Sequence, residues 1–382
     1  MKKLLVGMAA LSASAVSFAQ LPAANPETRD SQGTSVKIYG VADLGIARYR
    51  TSTESKTAMH PGGSGSRLGF LAGEDLGQGL KVNARLEAGI NLDTGTSSST
   101  NGNASRVFSR QAYIELESQT LGALRLGRQE GPSYTFFPTF DPMLLPSMDA
   151  WGVLTTLGQP APGIASGTGV SSGFLINPTA RTENTVGYIS RRWSGVQAKV
   201  SYSLNEGSTT VPNLLETSLD YASGPLLVGV LLVNASGTPG GGAIKATDSV
   251  REIAIGAKYE AGPVQPYVSF IRRDVTDPTR GAGGAVLNGK SETVKLIGAV
   301  IPVSARGKVR MTYGRYASGS VNRDASNYGI AYTFDVSRRL MLMAAYTHLS
   351  QGAAATWPVF QSPKPAAGSA VDGLIAGLNF RF

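Results

Sequence analysis

Lys81, Arg85 and Glu87 carry charge at positions two and four apart, a spacing that in an extended segment aims them to one side. They belong to the run 80–93. There Leu80, Val82, Ala84, Leu86, Ala88, Ile90 and Leu92 occupy one face, and Lys81, Asn83, Arg85, Glu87, Asn91 and Asp93 the other. A helix would smear both sets around its circumference, so the run is a strand with one apolar and one charged face. Lys199, Lys308 and Arg310 fall on the corresponding polar face of their own segments. Fixed charges of this kind act on ions in water, rings of Arg or Lys favouring anions and rings of Asp or Glu favouring cations.

Catalytic and metal chemistry have little to draw on. The chain has two histidines and no cysteine, which gives no metal constellation, no thiolate zinc and no disulfide, and no cofactor is expected. His60 falls in a connecting segment, and His348 shares a face with Leu340, Leu342 and Tyr346. A lipid hydrolase of the outer membrane would need an outward Ser and His near the membrane boundary, and His348 with Ser350 are the available residues. Their placement argues against contact, and no activated-nucleophile context surrounds them. The glycine-rich stretches 61–65 and 281–284 open no helix and so are not phosphate loops. The chain is read as a non-enzyme.

The first residues place it outside the cytoplasm. Lys2-Lys3, an apolar stretch from Leu4 to Phe18, and Ser17-Phe18-Ala19 before Gln20 read as a signal peptide over 1–19. No later segment reaches the roughly 18 to 20 apolar residues of a spanning helix. The formal charge of +9 is spread along the chain with no Lys/Arg run longer than two, which argues against a nucleic-acid partner. A mean hydropathy of −0.03 looks soluble. Yet alternating lipid-facing and water-facing residues cancel in such an average, and 47 glycines with 14 tyrosines suit many short strands.

After a polar leader over 20–35, the same alternation marks sixteen strands from 36 to 382. Short connections, as at 76–78, 120–121, 193–194, 223–224 and 261–262, take turns with long ones at 51–65, 94–105, 130–181, 207–213, 237–249, 275–290, 318–324 and 351–370. The chain ends inside a strand, with Leu374, Ala376, Leu378, Phe380 and Phe382 on one face and Asn379 and Arg381 on the other. Hydrocarbon leaves no backbone amide unpaired, so such a sheet closes. The expected fold is all-β, a 16-stranded antiparallel transmembrane β-barrel over 36–382, and about sixteen staves leave a water-filled bore.

Ser66-Arg67-Leu68-Gly69-Phe70, Gly73-Glu74-Asp75-Leu76-Gly77-Gln78-Gly79-Leu80 and Leu86-Glu87-Ala88-Gly89 resemble the Gram-negative general porins, particularly those of beta-proteobacteria. Val36 to Asp43, Phe108 to Tyr113, Leu126 to Gln129 and the terminal Phe382 extend the likeness over the mature chain. The resemblance implies a homotrimer of barrels in the outer-membrane lipid of a Gram-negative cell. It implies a long third loop, 130–181, folded into the lumen as a constriction, and a Phe382 read by the outer-membrane assembly machinery. Arg110 and Arg128 match the family's basic wall positions. Simple alternation puts them on the apolar face, so a bulge or strand-end twist is required. The acidic Pro-Glu-Phe-Gly pattern of many constriction loops is missing, the nearest segment being Leu145-Pro146-Ser147-Met148-Asp149.

The aromatic first half of 130–181, with Tyr134, Phe136, Phe137 and Phe140, needs a wall to pack against, whereas 160–173 is rich in Gly, Ser, Pro and Ala. Glu130, Asp141 and Asp149 are its acids facing the basic wall. The balance is basic, and the expected function is diffusion of small hydrophilic solutes with anion preference. An adhesin or phage-receptor barrel with a plugged lumen is the alternative. Ten strand tyrosines, Tyr39, Tyr49, Tyr113, Tyr188, Tyr202, Tyr221, Tyr259, Tyr313, Tyr332 and Tyr346, are assigned to girdles at the membrane boundary.

Overall fold

A computed structural model describes residues 34–98, 106–143, 150–155, 181–204, 206, 213–236, 249–275, 291–318 and 321–382. The expected signal peptide and nearly all of the polar leader fall outside the described residues. Strand β1 (Thr34–Arg50) closes the sheet. Along one edge its residues from Val41 to Arg50 pair with β18 (Val371–Arg381), and along the other it pairs with both β2 (Ser55–His60) and β3 (Arg67–Gly77). β2 takes residues 45–50 of β1 and β3 takes 34–41, so the two are successive halves of one stave.

From β3 the order runs through β4 (Leu80–Asn91), β6 (Gln111–Ser118), β7 (Gly122–Gln129), β8 (Thr182–Ile189), β9 (Val196–Ser203), β10 (Asn213–Ser223) and β11 (Leu226–Ser236). It continues through β12 (Ser249–Tyr259), β13 (Gln265–Val275), β14 (Glu292–Pro302), β15 (Gly307–Ala317), β16 (Ala325–Asp335) and β17 (Leu340–Gln351) back to β18. The two-residue β5 (Thr96–Ser97) is a flap on the end of β4. With β2 and β3 as one stave and β5 set aside, the described residues form a closed, antiparallel cylinder of sixteen staves.

One boundary differs from the sequence reading. The segment 51–65 is not a free connection: a tight turn closed by Thr51 N to Glu54 O at 2.9 Å leads straight into β2. Sequence alternation missed β2 because Ser55-Lys56-Thr57 carries no apolar residue. The irregular part is 61–66, and β1 pins it. Asp43 Oδ2 accepts from Gly63 N at 3.1 Å and Ser64 N at 2.7 Å, and Ser66 Oγ both receives Asp43 N and donates to Asp43 O, each at 2.9 Å. Gly62 sits at φ 70, and a Cβ there would stand 1.7 Å from Asp43 Oδ1, so only glycine fits.

Burial alternates as the wall requires. On β18, Leu374, Leu378, Phe380 and Phe382 are exposed on the outside, whereas Val371, Ile375 and Asn379 are buried on the inside. Among the described residues no helix is long and apolar enough to cross a membrane. Tyr188, Tyr202, Tyr221, Tyr259, Tyr313 and Tyr332 are outward and exposed. Tyr39, Tyr49 and Tyr113 correct the girdle assignment: they share the inner face with Asp43, Glu87 and Glu115, because each lies an even number of residues, along its strand or across the ladder, from a charged inner position.

The connection from β7 to β8 carries α1 (Pro132–Thr139) and α2 (Ala150–Thr155). Pro132 opens α1, where its missing N–H costs nothing. Pro138 denies the helix a further donor, and Phe140 N closes on Phe137 O at 3.1 Å. Phe136, Phe140, Met143, Val153 and Leu154 form one buried apolar cluster with Leu231, Ala254, Ile271 and Leu296 of the inner wall. The wall is notched where they lie. A Cβ on Gly256 would come within 2.5 Å of the Phe140 ring, one on Gly298 within 2.6 Å of Pro142 Cγ, and one on Gly314 within 2.6 Å of Leu154 Cδ1.

Candidate functional site

The inner faces of β1, β3, β4 and β6 converge on Glu87. Tyr39 of β1 lies across Gly69 of β3 and donates its hydroxyl to Glu87 Oε2 at 2.6 Å. Arg110 Nε donates to Glu87 Oε1 at 2.5 Å, and Arg67 Nε stands 3.8 Å from the same carboxylate. Beyond them Arg110 Nη2 is 3.9 Å from Glu130, whose Oε1 also accepts from Arg181 Nη2 at 2.9 Å. The Arg181 guanidinium donates to the Tyr134 hydroxyl at 2.8 Å and lies 4.5 Å from its ring centroid, which ties the start of α1 to the wall. Two acids thus hold three arginines.

A second tier lies nearer the short turns. Arg85 sits 5.6 Å from the Tyr39 ring, and Arg125 sits 4.7 Å from the Tyr113 ring while its Nε pairs with Glu115. Asn83 Nδ2 donates to Glu115 at 3.1 Å and to Glu117 at 3.2 Å, holding those carboxylates to the wall. Buried Arg85 Nε has no hydrogen-bond partner in the structure. Arg67 and Arg125 are each 22% exposed at the side chain, against 10% for Arg110 and 2% for Arg181. Arg67 and Arg125, like Arg85, are therefore partly accessible, whereas Arg110 and Arg181 are more deeply buried.

Arg110 reaches this face through the required irregularity. Gln111 pairs with Glu87 in the ladder, yet Arg110 N also donates to Glu87 O at 3.0 Å, so two residues oppose one. Arg128 goes elsewhere. It sits at the register slip between Gly127 and Gln129, donates to Ser109 O at 2.8 Å and Glu183 at 3.3 Å, and shares Glu183 with Arg106. Lys81 is exposed on the Arg85 face close to the turn.

On the far wall Lys199 Nζ lies 3.6 Å from Asp220 and donates to Thr135 Oγ1 of α1 at 3.3 Å. Arg310 donates through Nε to Thr333 Oγ1 at 3.1 Å and through Nη1 to Pro142 O at 2.5 Å, with Lys308 two residues below on the same face. Asp141 Oδ1 caps Met143 N at 2.8 Å, within electrostatic reach of Arg310. Asp149 lies outside the described residues.

Sequence reasoning missed one group altogether. Glu216, Glu252, Arg273 and Glu292 fall on one row across β10 to β14, with Val233 of β11 between the first two. Arg273 Nη1 donates to Glu292 at 2.8 Å, Tyr316 donates to Glu292 at 2.7 Å, and Glu216 accepts Ser133 N at 2.9 Å and Ser133 Oγ at 3.0 Å at the start of α1. Each glutamate alternates with outward aliphatic neighbours, Leu215 and Ile253 for example, and that was the available signal.

The two histidines part company. His60 is buried, accepts Gly62 N on Nδ1 at 3.0 Å and meets Phe360 edge-on at 5.0 Å, which is a packing role. His348 corrects the sequence reading, which argued against contact with Ser350: two residues apart on β17 they share the outer face, with His348 Nε2 3.0 Å from Ser350 Oγ.

Known proteins repeat this architecture. The chain is 28% identical over 364 residues to outer membrane porin protein 32 of Delftia acidovorans, covering 93% of this chain and 92% of the other. The anion-selective porin from Comamonas acidovorans superposes with a TM-score of 0.71 at 24% identity, over 91% of this chain and all of that one. OmpT of Vibrio cholerae in its trimer form superposes with a TM-score of 0.61 at 13% identity, over 92% of this chain and 100% of that chain, a likeness of fold. The family described as Gram-negative porin matches residues 4–354. With its closed sixteen-stave wall and charged inner face, this chain belongs to the Gram-negative porin family and is an outer-membrane porin.

Proposed function

We infer that the barrel passes small hydrophilic solutes passively and prefers anions. The observation that carries this is the guanidinium ladder of one wall, Arg67, Arg85, Arg110, Arg125 and Arg181, stiffened by stacking on Tyr39, Tyr113 and Tyr134. Glu87, Glu115 and Glu130 neutralise it only in part, and Arg67 and Arg125 stay accessible to a passing ion. Rings of arginine favour anions. The apolar seat of α1 and Phe140 on the opposite wall supports a loop that narrows the bore, with Lys199 held to α1 through Thr135. Lys81, Lys308, Arg310 and Arg128 would then tune the field from the flanks of the narrow zone, and Asp149 from the loop.

Passage of this kind requires no catalytic step in the lumen. The trimer form of OmpT, which shares this fold, supports a homotrimer in outer-membrane lipid, and the outward Phe382 suits reading by the assembly machinery. Planar-bilayer recording in a salt gradient tests the reading. We expect conductance in triplet steps and a reversal potential of anion-selective sign; cation preference would remove the ladder from its assigned role, and a silent bilayer would point to a plugged barrel.

A further inference from the structure

The outer wall carries an arrangement that transport does not use. Directly across the β17–β18 ladder from His348 stands Asp372, and Asp372 Oδ1 lies 2.7 Å from His348 Nδ1. The other ring nitrogen, Nε2, lies 3.0 Å from Ser350 Oγ. An ionised carboxylate only accepts, so Asp372 holds the imidazole in the tautomer with hydrogen on Nδ1 and leaves Nε2 to accept from the serine hydroxyl. Tyr346 donates to the same Asp372 Oδ1 at 2.6 Å, and the Tyr328 ring stacks on His348 at 5.1 Å and 27°. Carboxylate, imidazole and hydroxyl thus stand in the order that activates a nucleophile, and Ser350 is exposed.

The position selects the substrate. These residues sit where β17 enters and β18 leaves the long connection 351–370, at the end that faces the outside in barrels of this class. Toward the middle of the wall the same outer face is apolar, with Ile330, Leu342 and Leu374 exposed. On the other side Arg50 of β1 is paired with Asp372 in the ladder and brings a cation to the same level. Acyl chains below, a basic side chain beside and a hydroxyl nucleophile between match an anionic lipid whose ester bond lies at the boundary of the outer leaflet.

The geometry points to a second activity: Ser350, His348 and Asp372 form a hydrolytic site on the lipid-facing wall, specific for carboxylic esters of outer-leaflet lipids. Ser350 Oγ attacks the ester carbonyl carbon while His348 Nε2 takes its proton, and the carbonyl π pair moves to oxygen. Collapse breaks the carbon–oxygen bond to the alcohol, which leaves with the proton from Nε2. Water then adds to the acyl-serine, His348 again taking and returning the proton, so ester and water become acid and alcohol. Asp372 stays ionised throughout.

Purified trimers in detergent and in outer-membrane vesicles test this with a fluorophosphonate probe and a phospholipid in mixed micelles. We expect an adduct mapped to Ser350, absent in Ser350→Ala and formed about 10²-fold more slowly in His348→Gln and Asp372→Asn. Release of fatty acid should be lost in the same variants, while the single-channel conductance of Ser350→Ala stays at the wild-type value and reports an intact barrel. Absence of the adduct, equal labelling in His348→Gln, or labelling without ester turnover each overturns the assignment.

Discussion

Glu87 is the residue whose loss reads out most directly. It is 4% exposed at the side chain and serves Tyr39, Arg110 and Arg67 at once, so Glu87→Gln leaves two guanidiniums beside a neutral amide. Breaking a buried pair from one side costs about 3 to 5 kcal/mol, so this variant should melt at lower temperature. The reversal potential should move further toward anions, since a negative charge has left the ladder. Gly62→Ala acts by another route. It forces a side chain into the left-handed region and against Asp43, costing about 2 kcal/mol through the backbone alone and releasing 61–66 from β1. Calorimetry of the two variants reads both losses as lowered melting temperatures.

In the function proposed above, the connection from β7 to β8 narrows the bore. Its described parts are held by apolar burial and by polar ties that include Glu216 to Ser133, Arg181 to Tyr134, Lys199 to Thr135, Arg310 to Pro142, and Thr312 Oγ1 receiving Ala150 N at 3.1 Å. Phe140 is fully buried over Gly256, and a phenylalanine-to-alanine change at such a place costs about 3 to 5 kcal/mol. Phe140→Ala should therefore loosen the seat, and single-channel recordings should show larger and noisier conductance. Gly256→Val should do the same from the wall side by filling the notch. Unchanged conductance in both would show that the polar ties suffice to hold the loop. None of these glycines announced itself in the sequence, because a notch exists only when a ring from a distant segment lies across it.

At the scale of the whole molecule the wall must close, and β1 with β18 does so. Gly40 and Phe382 exchange backbone hydrogen bonds at 3.0 and 3.1 Å, and a Cβ on Gly40 would strike the Phe382 ring at 2.2 Å. Phe382→Ser should lower the heat stability of the folded barrel and, if the assembly machinery reads this ring, should cut the yield in the outer membrane more than refolding in detergent. Ion preference is also a property of the whole bore. The screening length falls from about 10 Å at 0.1 M salt to about 3 Å at 1 M, so the anion-to-cation permeability ratio should decline over that range. A ratio independent of salt would mean that selection comes from a contact site and not from the field of the wall.

The wall was legible residue by residue. A period of two is a local property, and it placed Arg85, Glu87, Lys199 and Arg310 on the inner face and Leu374 to Phe382 at the closing edge before any contact was known. Only tertiary structure could decide what those side chains meet. The bulge that turns Arg110 inward, the split of one stave into β2 and β3, and the Glu216 to Glu292 row depend on neighbours far apart in the chain, and alternation within one strand carries no information about them. His348 and Ser350 show the same division. Their spacing fixed the face they share, and Asp372, brought opposite by the closing ladder, set the chemistry they can do.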